Sequence, residues 1–316
     1  MSSPLNSIEA AASMQTSVHT GICDASAATL DARHFVVADD EENILWIYDR
    51  AVPAPVGSVE LWNFLGIGKK DETDIEGAAA VGDRIYWISS HGRNKRAEAA
   101  PSRFQFFASD IDRSAGQIPT VRLVGTSYKN LLTDLIEQPI FAKYNFALAS
   151  TLAPKAKDGF NIEGLAATPD GRLLIGFRNP VPKGKALVIP INNPDELIGG
   201  GANPAARASF GSAIELDLQG RGIRSIDLVG AEYFIVAGPI DDAGEFGIYR
   251  WSGKPNESPV PVPVPGLAGL HPESLVAMAK GKLQIFSDDG RRQVAGMACK
   301  DLPKRERSFR SITINR

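Results

Sequence analysis

The 316-residue chain carries 34 lysines and arginines against 37 aspartates and glutamates, a formal net charge of -3, which leaves no basic footprint for nucleic acid. Hydrophobic residues at 43% and charged residues at 22% are ordinary for a globular protein, and no apolar run approaches the roughly 20 residues that a membrane-spanning helix needs. The opening MSSPLNSIEAAASMQTSVHT lacks the basic start and apolar centre of a signal peptide. Residues 1–20 therefore read as an N-terminal extension and residues 21–316 as one domain. The location reads as cytoplasmic as the sequence stands, or periplasmic or secreted if a leader was removed.

Five units share one pattern. They start at Asp24-Ala25-Ser26-Ala27, Asp74-Ile75-Glu76-Gly77, Asn161-Ile162-Glu163-Gly164, Gly222-Ile223-Arg224-Ser225 and His271-Pro272-Glu273-Ser274. Each start is followed by a small or apolar run, a turn and a second apolar run ending in polar residues: HFVVADDEEN, RIYWISSHGR, RLLIGFRNP, EYFIVAGPIDD and KLQIFSDDGR. The third positions of the five starts are 50, 87, 61 and 49 residues apart. A unit of about fifty residues with several short strands is the mark of radial repetition. The expected fold is an all-β single β-propeller of five blades, or six if the long second interval hides a degenerate blade.

In chain order, the first unit has strands at residues 34–38 and 45–48, an acidic loop from Asp39 to Asn43 between them, and an outer strand within 56–64. The second has strands after Asp74, at 84–89 and at 103–108, with a polar loop from Ser90 to Arg96. In the long interval Tyr128, Leu131, Leu132, Leu135 and Ile136 fall at helical spacing, with Thr126 or Ser127 as cap and Pro139 as stop. One amphipathic helix near residues 127–138 is expected, packed on the propeller or, alternatively, lying over its channel as a lid. The central unit predicts strands at 162–167 and 172–177 joined by a Thr168-Pro169-Asp170-Gly171 turn, then strands at 185–191 and 213–218. Gly199-Gly200-Gly201 lacks the Lys and Ser/Thr of a phosphate-binding loop and reads as a connector. The fourth unit gives strands at 223–228, 233–237 and 247–251, and its Pro-Val alternation through 259–265 suits a blade edge or linker. The last gives strands at 274–279, 282–286 and 309–314, with ring closure through a terminal strand. Closure makes the blades of Cys23 and Cys299 neighbours, so a disulfide and two buried free thiols both remain open.

In a propeller the start of each first strand and the end of each second strand share one rim. Residues at i and i+2 face the same side of a strand, so Asp74 with Glu76, Asn161 with Glu163, and His271 with Glu273 are expected to project into the channel, Ser26 and Arg224 completing the ring. Three converging glutamates need compensation. It can come from Arg224 with Arg93 or Arg178, from a divalent cation such as calcium on hard oxygen ligands, or from a hydrated channel with raised glutamate pKa values. His91 and His271 suit ligation or proton transfer near neutral pH. Asp39 belongs to an acidic rim turn without the ligand pattern of an EF-hand loop. No serine sits in a Gly-x-Ser-x-Gly elbow.

Through Asp74-Ile75-Glu76-Gly77 with Ser90-His91-Gly92-Arg93, and Asn161-Ile162-Glu163-Gly164-Leu165 with Pro169-Asp170-Gly171 and Gly176-Phe177-Arg178-Asn179-Pro180, the sequence resembles the bacterial domain-of-unknown-function family 3616. Ser26-Ala27-Ala28 with Val37-Ala38-Asp39-Asp40-Glu41, and His271-Pro272-Glu273-Ser274, extend the resemblance over most of the chain. It implies a β-propeller and no established activity. More distantly the chain is similar to phytase-like esterase propellers and to the gluconolactonase and paraoxonase group, whose channel calcium sits on Glu, Asn and Asp. By position that similarity carries over to Asn161 and Glu163.

The leading expectation is a metal-assisted hydrolase of a small phosphoester or lactone. Glu76, Asn161, Glu163 and Glu273 would hold calcium or another divalent cation, His91 would act as general base, and Arg93 and Arg178 would bind a small anionic substrate. The rivals are ligand binding without turnover and a protein-interaction scaffold.

Overall fold

The computed structural model describes residues 15–315 except 26, 40, 41, 115, 117, 200–202, 204, 242, 279 and 280. The strands are β1 (Gln15–Thr20), β2 (Ala27–Leu30), β3 (His34–Asp39), β4 (Ile44–Asp49), β5 (Pro55–Glu60), β6 (Ile75–Val81), β7 (Arg84–Ser89), β8 (Phe106–Asp112) and β9 (Thr120–Tyr128). They continue as β10 (Asn161–Ala167), β11 (Leu173–Asn179), β12 (Ala186–Ile191), β13 (Ile214–Leu216), β14 (Gly222–Val229), β15 (Glu232–Gly238), β16 (Gly247–Trp251) and β17 (Val260–Val262). The last are β18 (Pro272–Ala277), β19 (Lys282–Ser287), β20 (Gln293–Val294), β21 (Met297–Ala298) and β22 (Ser308–Asn315).

Twenty of these make five four-stranded antiparallel blades: β2 to β5, β6 to β9, β10 to β13, β14 to β17, and a fifth in the order β18-β19-β22-β1; β20 and β21 pair as a separate hairpin. The first strands touch in ring order, β2 with β6, β6 with β10, β10 with β14, β14 with β18 and β18 with β2. The fifth blade takes its outermost strand from the other end of the chain, Gln15 pairing with Thr313 and Thr20 with Ser308. That strand lies inside the stretch read as an extension, and it fastens the ring. A Cys23–Cys299 disulfide, 276 residues apart in sequence, closes it a second time. Of the two open alternatives for the cysteines, the bridge is the one found.

The inner hairpins were legible because each lies between two neighbouring blades. β3, β11 and β12 are buried along their whole lengths, which demands continuous apolar runs such as FVVA and LLIGF in place of alternation. Outer strands face solvent on one side, and β17 is an edge strand that tolerates Pro261. The blades are held by apolar seams; Ile88 and Phe106 meet Ile162, Leu165 and Phe177 across the second, for example.

Three boundaries differ from expectation. β5 ends at Glu60 because the short helix α1 (Trp62–Leu65) follows. The third strand of the second blade starts at Phe106, after a 3-10 turn over Pro101–Arg103. The long interval holds β9, so Thr126 and Ser127 lie in a strand instead of capping a helix. Helix α2 (Leu131–Glu137) follows Asn130, which makes no side-chain cap, and then come a 3-10 turn (Pro139–Tyr144) and α3 (Phe146–Ala149). Leu131 and Leu135 are buried, and Phe146 stacks on Phe177 of the third blade at 5.5 Å. The insertion is packing for the seam between the second and third blades, with no sixth blade among the described residues. Helix α4 (Pro194–Ile198) ends at Gly199, and Gly200 and Gly201 of the expected connector lie outside the described residues.

Candidate functional site

The third residue of each described blade start is an extra residue in its strand. Between β6 and β7 the register passes from Ile75–Ser89 to Gly77–Ile88, leaving Glu76 unopposed. The same one-residue slip isolates Glu163 in β10, Arg224 in β14 and Glu273 in β18. A β-bulge kinks the strand and re-aims the extra side chain. Four blades thus deliver Glu76, Glu163, Arg224 and Glu273 to the channel by one device. Ser26, the counterpart in the first blade, lies outside the described residues.

Carboxylate oxygens of Glu76, Glu163 and Glu273 all lie within 4.8 Å of one another. Glu163 is the hub. Its Oε1 accepts from Asn161 Nδ2 at 2.6 Å and from Arg178 Nη1 at 2.8 Å, and its Oε2 lies 2.8 Å from Arg224 Nε. Arg224 also donates from Nη2 to Glu273 Oε1, and Arg178 Nη2 donates to the Asp241 carbonyl at 3.0 Å. Asn161 Oδ1 is buried without a hydrogen-bond partner. With all three glutamates ionised, the two guanidiniums leave one negative charge over.

Electrostatics place that charge. Burial pushes the Glu273 carboxyl up to about 7, Arg224 opposing the rise and Asp288 and Glu163 adding to it. Burial alone would lower the Arg224 pKa, but the carboxylates of Glu163, Glu273 and Glu76 outweigh it and hold the guanidinium above its ordinary value. Beside this centre, burial pushes Asp74 up to about 6 against the pull of Arg103, with Glu72 adding to the rise. Arg103 binds Asp74 at 2.8 Å and Glu72 at 2.7 Å.

The cluster forms the floor of a cavity of about 1070 Å³. Asp74, Glu76, Asn161, Glu163, Arg178, Arg224, His271 and Glu273 all line it. Three expected residues do not. His91 is buried at 1% exposure in the left-handed region (φ 53°), with Nδ1 2.8 Å from the Ser89 carbonyl, and burial lowers its pKa to about 4. It is a buried turn residue outside the cavity lining, and so is not placed to act as general base in the channel. Arg93 reaches the carbonyls of Ser150 at 2.8 Å and Ala97 at 3.0 Å, tying its loop to the insertion instead of meeting a substrate. Asp39 is buried at the end of β3, where its Oδ1 accepts from the Glu42 N–H at 3.1 Å; Asp40 and Glu41 of that acidic loop lie outside the described residues.

Other members of the site had no sequence signal. Arg103 sits in a 3-10 turn with nothing to tie it to Asp74. Phe246, in the loop between β15 and β16, has its ring 5.7 Å from the Arg224 guanidinium. Lys300 reaches the cavity because it follows Cys299 of the disulfide, where its N–H donates to the Gly290 carbonyl at 3.1 Å; Asp24 and Gly290 belong to a unit start and a post-strand loop that the repeat already placed on the rim.

The fold and site define a five-bladed β-propeller whose channel floor is a bulge-built, ion-paired acidic cluster. The model of a family described as protein of unknown function (DUF3616) matches residues 107–266, about half of the 316, and the chain belongs to that family. No curated protein matches it. Among solved structures it is similar to Myxococcus xanthus glutaminyl cyclase, at 12% identity over 95% of this chain and 94% of that one with a TM-score of 0.46. It is also similar to the PQQ-bound aldose sugar dehydrogenase of Streptomyces coelicolor, at 12% identity over 96% and 98% with a TM-score of 0.45. At this identity and overlap neither activity transfers to the chain. No helix among the described residues is long and apolar enough to cross a membrane.

Proposed function

We propose that the channel is the reaction pocket of a hydrolase for a small anionic phosphoester or lactone, with Glu273 as the group that takes and returns the proton. One observation carries the reading. A glutamate with its carboxyl pushed up to about 7 stands on the floor of a cavity large enough for a substrate, held by a buried arginine. General acid–base catalysis is most efficient with a group titrating near the working pH, and burial among like charges in a cleft is how such a group is made. Glu273 takes the role expected of His91. Arg178 orients Glu163, and the exposed cations Lys95, Arg96 and Lys155 at the mouth suit the anionic part of the substrate.

A second reading, with a divalent cation on Glu76, Glu163 and Glu273, is favoured by their mutual distance and by the unpartnered Asn161 Oδ1. Such an ion would polarise a carbonyl or phosphoryl oxygen. Against it, Glu163 Oε1 already accepts from Arg178 and Asn161, and Oε2, which has no hydrogen-bond partner, is ion-paired with Arg224 at 2.8 Å. An ion enters only by competing with Arg224.

The disulfide supports an oxidising compartment, the periplasm or the cell exterior. A panel of small phosphoesters and lactones assayed with wild type and Glu273→Gln tests the main reading. Turnover by wild type and at least a hundredfold loss in the variant supports it; equal turnover removes Glu273 from the chemistry. Melting with chelator and with added calcium tests the second reading, which is rejected by an unchanged melting temperature.

A further inference from the structure

The cavity has two unlike sides. Lys95 and Arg96, in the connection between β7 and β8, and Lys155, ahead of β10, are exposed where the second and third blades form its edge. On the side of the fourth and fifth blades an apolar patch of Phe246, Leu267 and Leu270 stands among the charged residues Glu245, Asp288 and Arg291. That wall is built, not incidental. The Phe246 ring lies over Arg224 at 5.7 Å, and the His271 ring meets it edge-on at 6.1 Å. A Cβ on Gly238 would come within 2.7 Å of the Phe246 ring and 2.8 Å of Arg224 Cγ, so the bare glycine is what lets ring and guanidinium stack. Phe246 and Leu267 also pack on the apolar seam between the fourth and fifth blades, which fixes their positions. Of the described acidic residues in the same loop, Asp241 Oδ1 accepts from the Ala243 N–H at 3.0 Å and is held in its own turn, and Glu245 is exposed at the cavity edge beside Phe246.

Resting on the anionic-substrate reading above, we propose that the pocket selects anions carrying an aromatic ring, with Phe246 as the specificity-determining residue. The ring lies against the wall of Phe246, Leu267 and Leu270, and the anionic group turns toward Lys95, Arg96 and Lys155. An aromatic pair adds to the gain from apolar area alone, and a partly buried, preorganised ring gives up little freedom on binding.

The test is calorimetric titration of the full chain with inorganic phosphate and with phenylphosphonate, whose C–P bond a phosphoester hydrolase leaves intact. Phenylphosphonate binds at least about tenfold more tightly than phosphate. In Phe246→Ala that ratio falls toward one, and in Phe246→Leu, which keeps the packing on the seam, it falls to an intermediate value. In the double variant Lys95→Ala, Arg96→Ala both anions weaken and the ratio persists. A ratio near one in wild type, or an undiminished ratio in both Phe246 variants, overturns the aromatic selection while leaving an anion pocket. Binding of neither probe overturns the anionic-substrate reading itself, and this inference with it.

Discussion

Arg224 of the fourth blade and Glu163 of the third are 61 positions apart in sequence, yet Nε and Oε2 stand 2.8 Å apart with both side chains buried. Each is the extra residue of a bulge at the start of its blade's first strand. The contact is therefore a consequence of the repeat: the same local slip in neighbouring blades points two opposite charges at the same space.

The raised Glu273 carboxyl gives a pH dependence of definite sign. The unfolded chain releases this proton near pH 4.3, whereas the folded chain keeps it to about 7. Between these values only the native state holds the proton, so the stability that this group contributes is complete below the window and is lost as pH rises through it. Glu273→Gln removes that dependence. Denaturant unfolding of wild type and variant at pH 5 and pH 7.5 should show the wild type losing stability relative to the variant, on the order of 1 kcal/mol per pH unit. Parallel profiles would contradict the assignment. Asp74, raised to about 6, contributes with the same sign at lower pH and is common to both proteins.

The two readings of the acidic floor diverge at Arg224. Its guanidinium already occupies Glu163 and Glu273, so Arg224→Met should strengthen calcium binding at least about tenfold if a cation shares those oxygens. Calorimetric titration of calcium into both proteins measures this. No calcium heat in either protein would leave the ion-paired floor as the working state and remove the cation.

Gly222 bears on the site through the backbone. A Cβ there would stand 2.0 Å from the Arg178 carbonyl oxygen, an atom of the backbone with no side chain to yield. Gly222→Ala should cost about 1–3 kcal/mol by overpacking and displace Arg178 from Glu163. Unfolding measurements give the first effect and a shift in the Glu163 carboxyl resonance the second. Wild-type stability in the variant would show that the third and fourth blades are further apart than described.

The disulfide fastens a ring already closed by β1 on β22. Cys23→Ser or Cys299→Ser should lower stability by about 2–5 kcal/mol through the enlarged unfolded ensemble without preventing ring closure. The wild type, denatured without reductant, should titrate no thiol. Two thiols there would refute the bridge.

The blades were legible because an inner strand buried on both faces must be written in apolar residues, and FVVA, LLIGF and YFIVA are such runs. Glu76, Glu163, Arg224 and Glu273 were legible as the odd polar residue in each repeat, and their convergence followed from the repeat. The bulges were not, because a one-residue slip depends on pairing with the next strand and leaves no mark in the strand itself. For the same reason simple alternation placed Asp74 with Glu76, although Asp74 sits at a left-handed backbone position (φ 54°) and turns to Arg103. His91 and Arg93 misled because a polar loop after an inner strand looks like rim chemistry. The left-handed turn at His91 sends its ring back to the Ser89 carbonyl, and Arg93 is spent on the inserted segment, whose position no local pattern announces.

The most direct test of the account is a double-mutant cycle on Arg224→Met and Glu163→Gln, read by denaturant unfolding at pH 7. Arg224→Met alone should cost about 3–5 kcal/mol, because it strands buried carboxylates. The two changes together should cost at least about 2 kcal/mol less than the sum of the single changes, as coupled buried partners do. Additivity within about 0.5 kcal/mol would mean that the two side chains do not meet, and that the blades do not deliver their bulged residues to one channel.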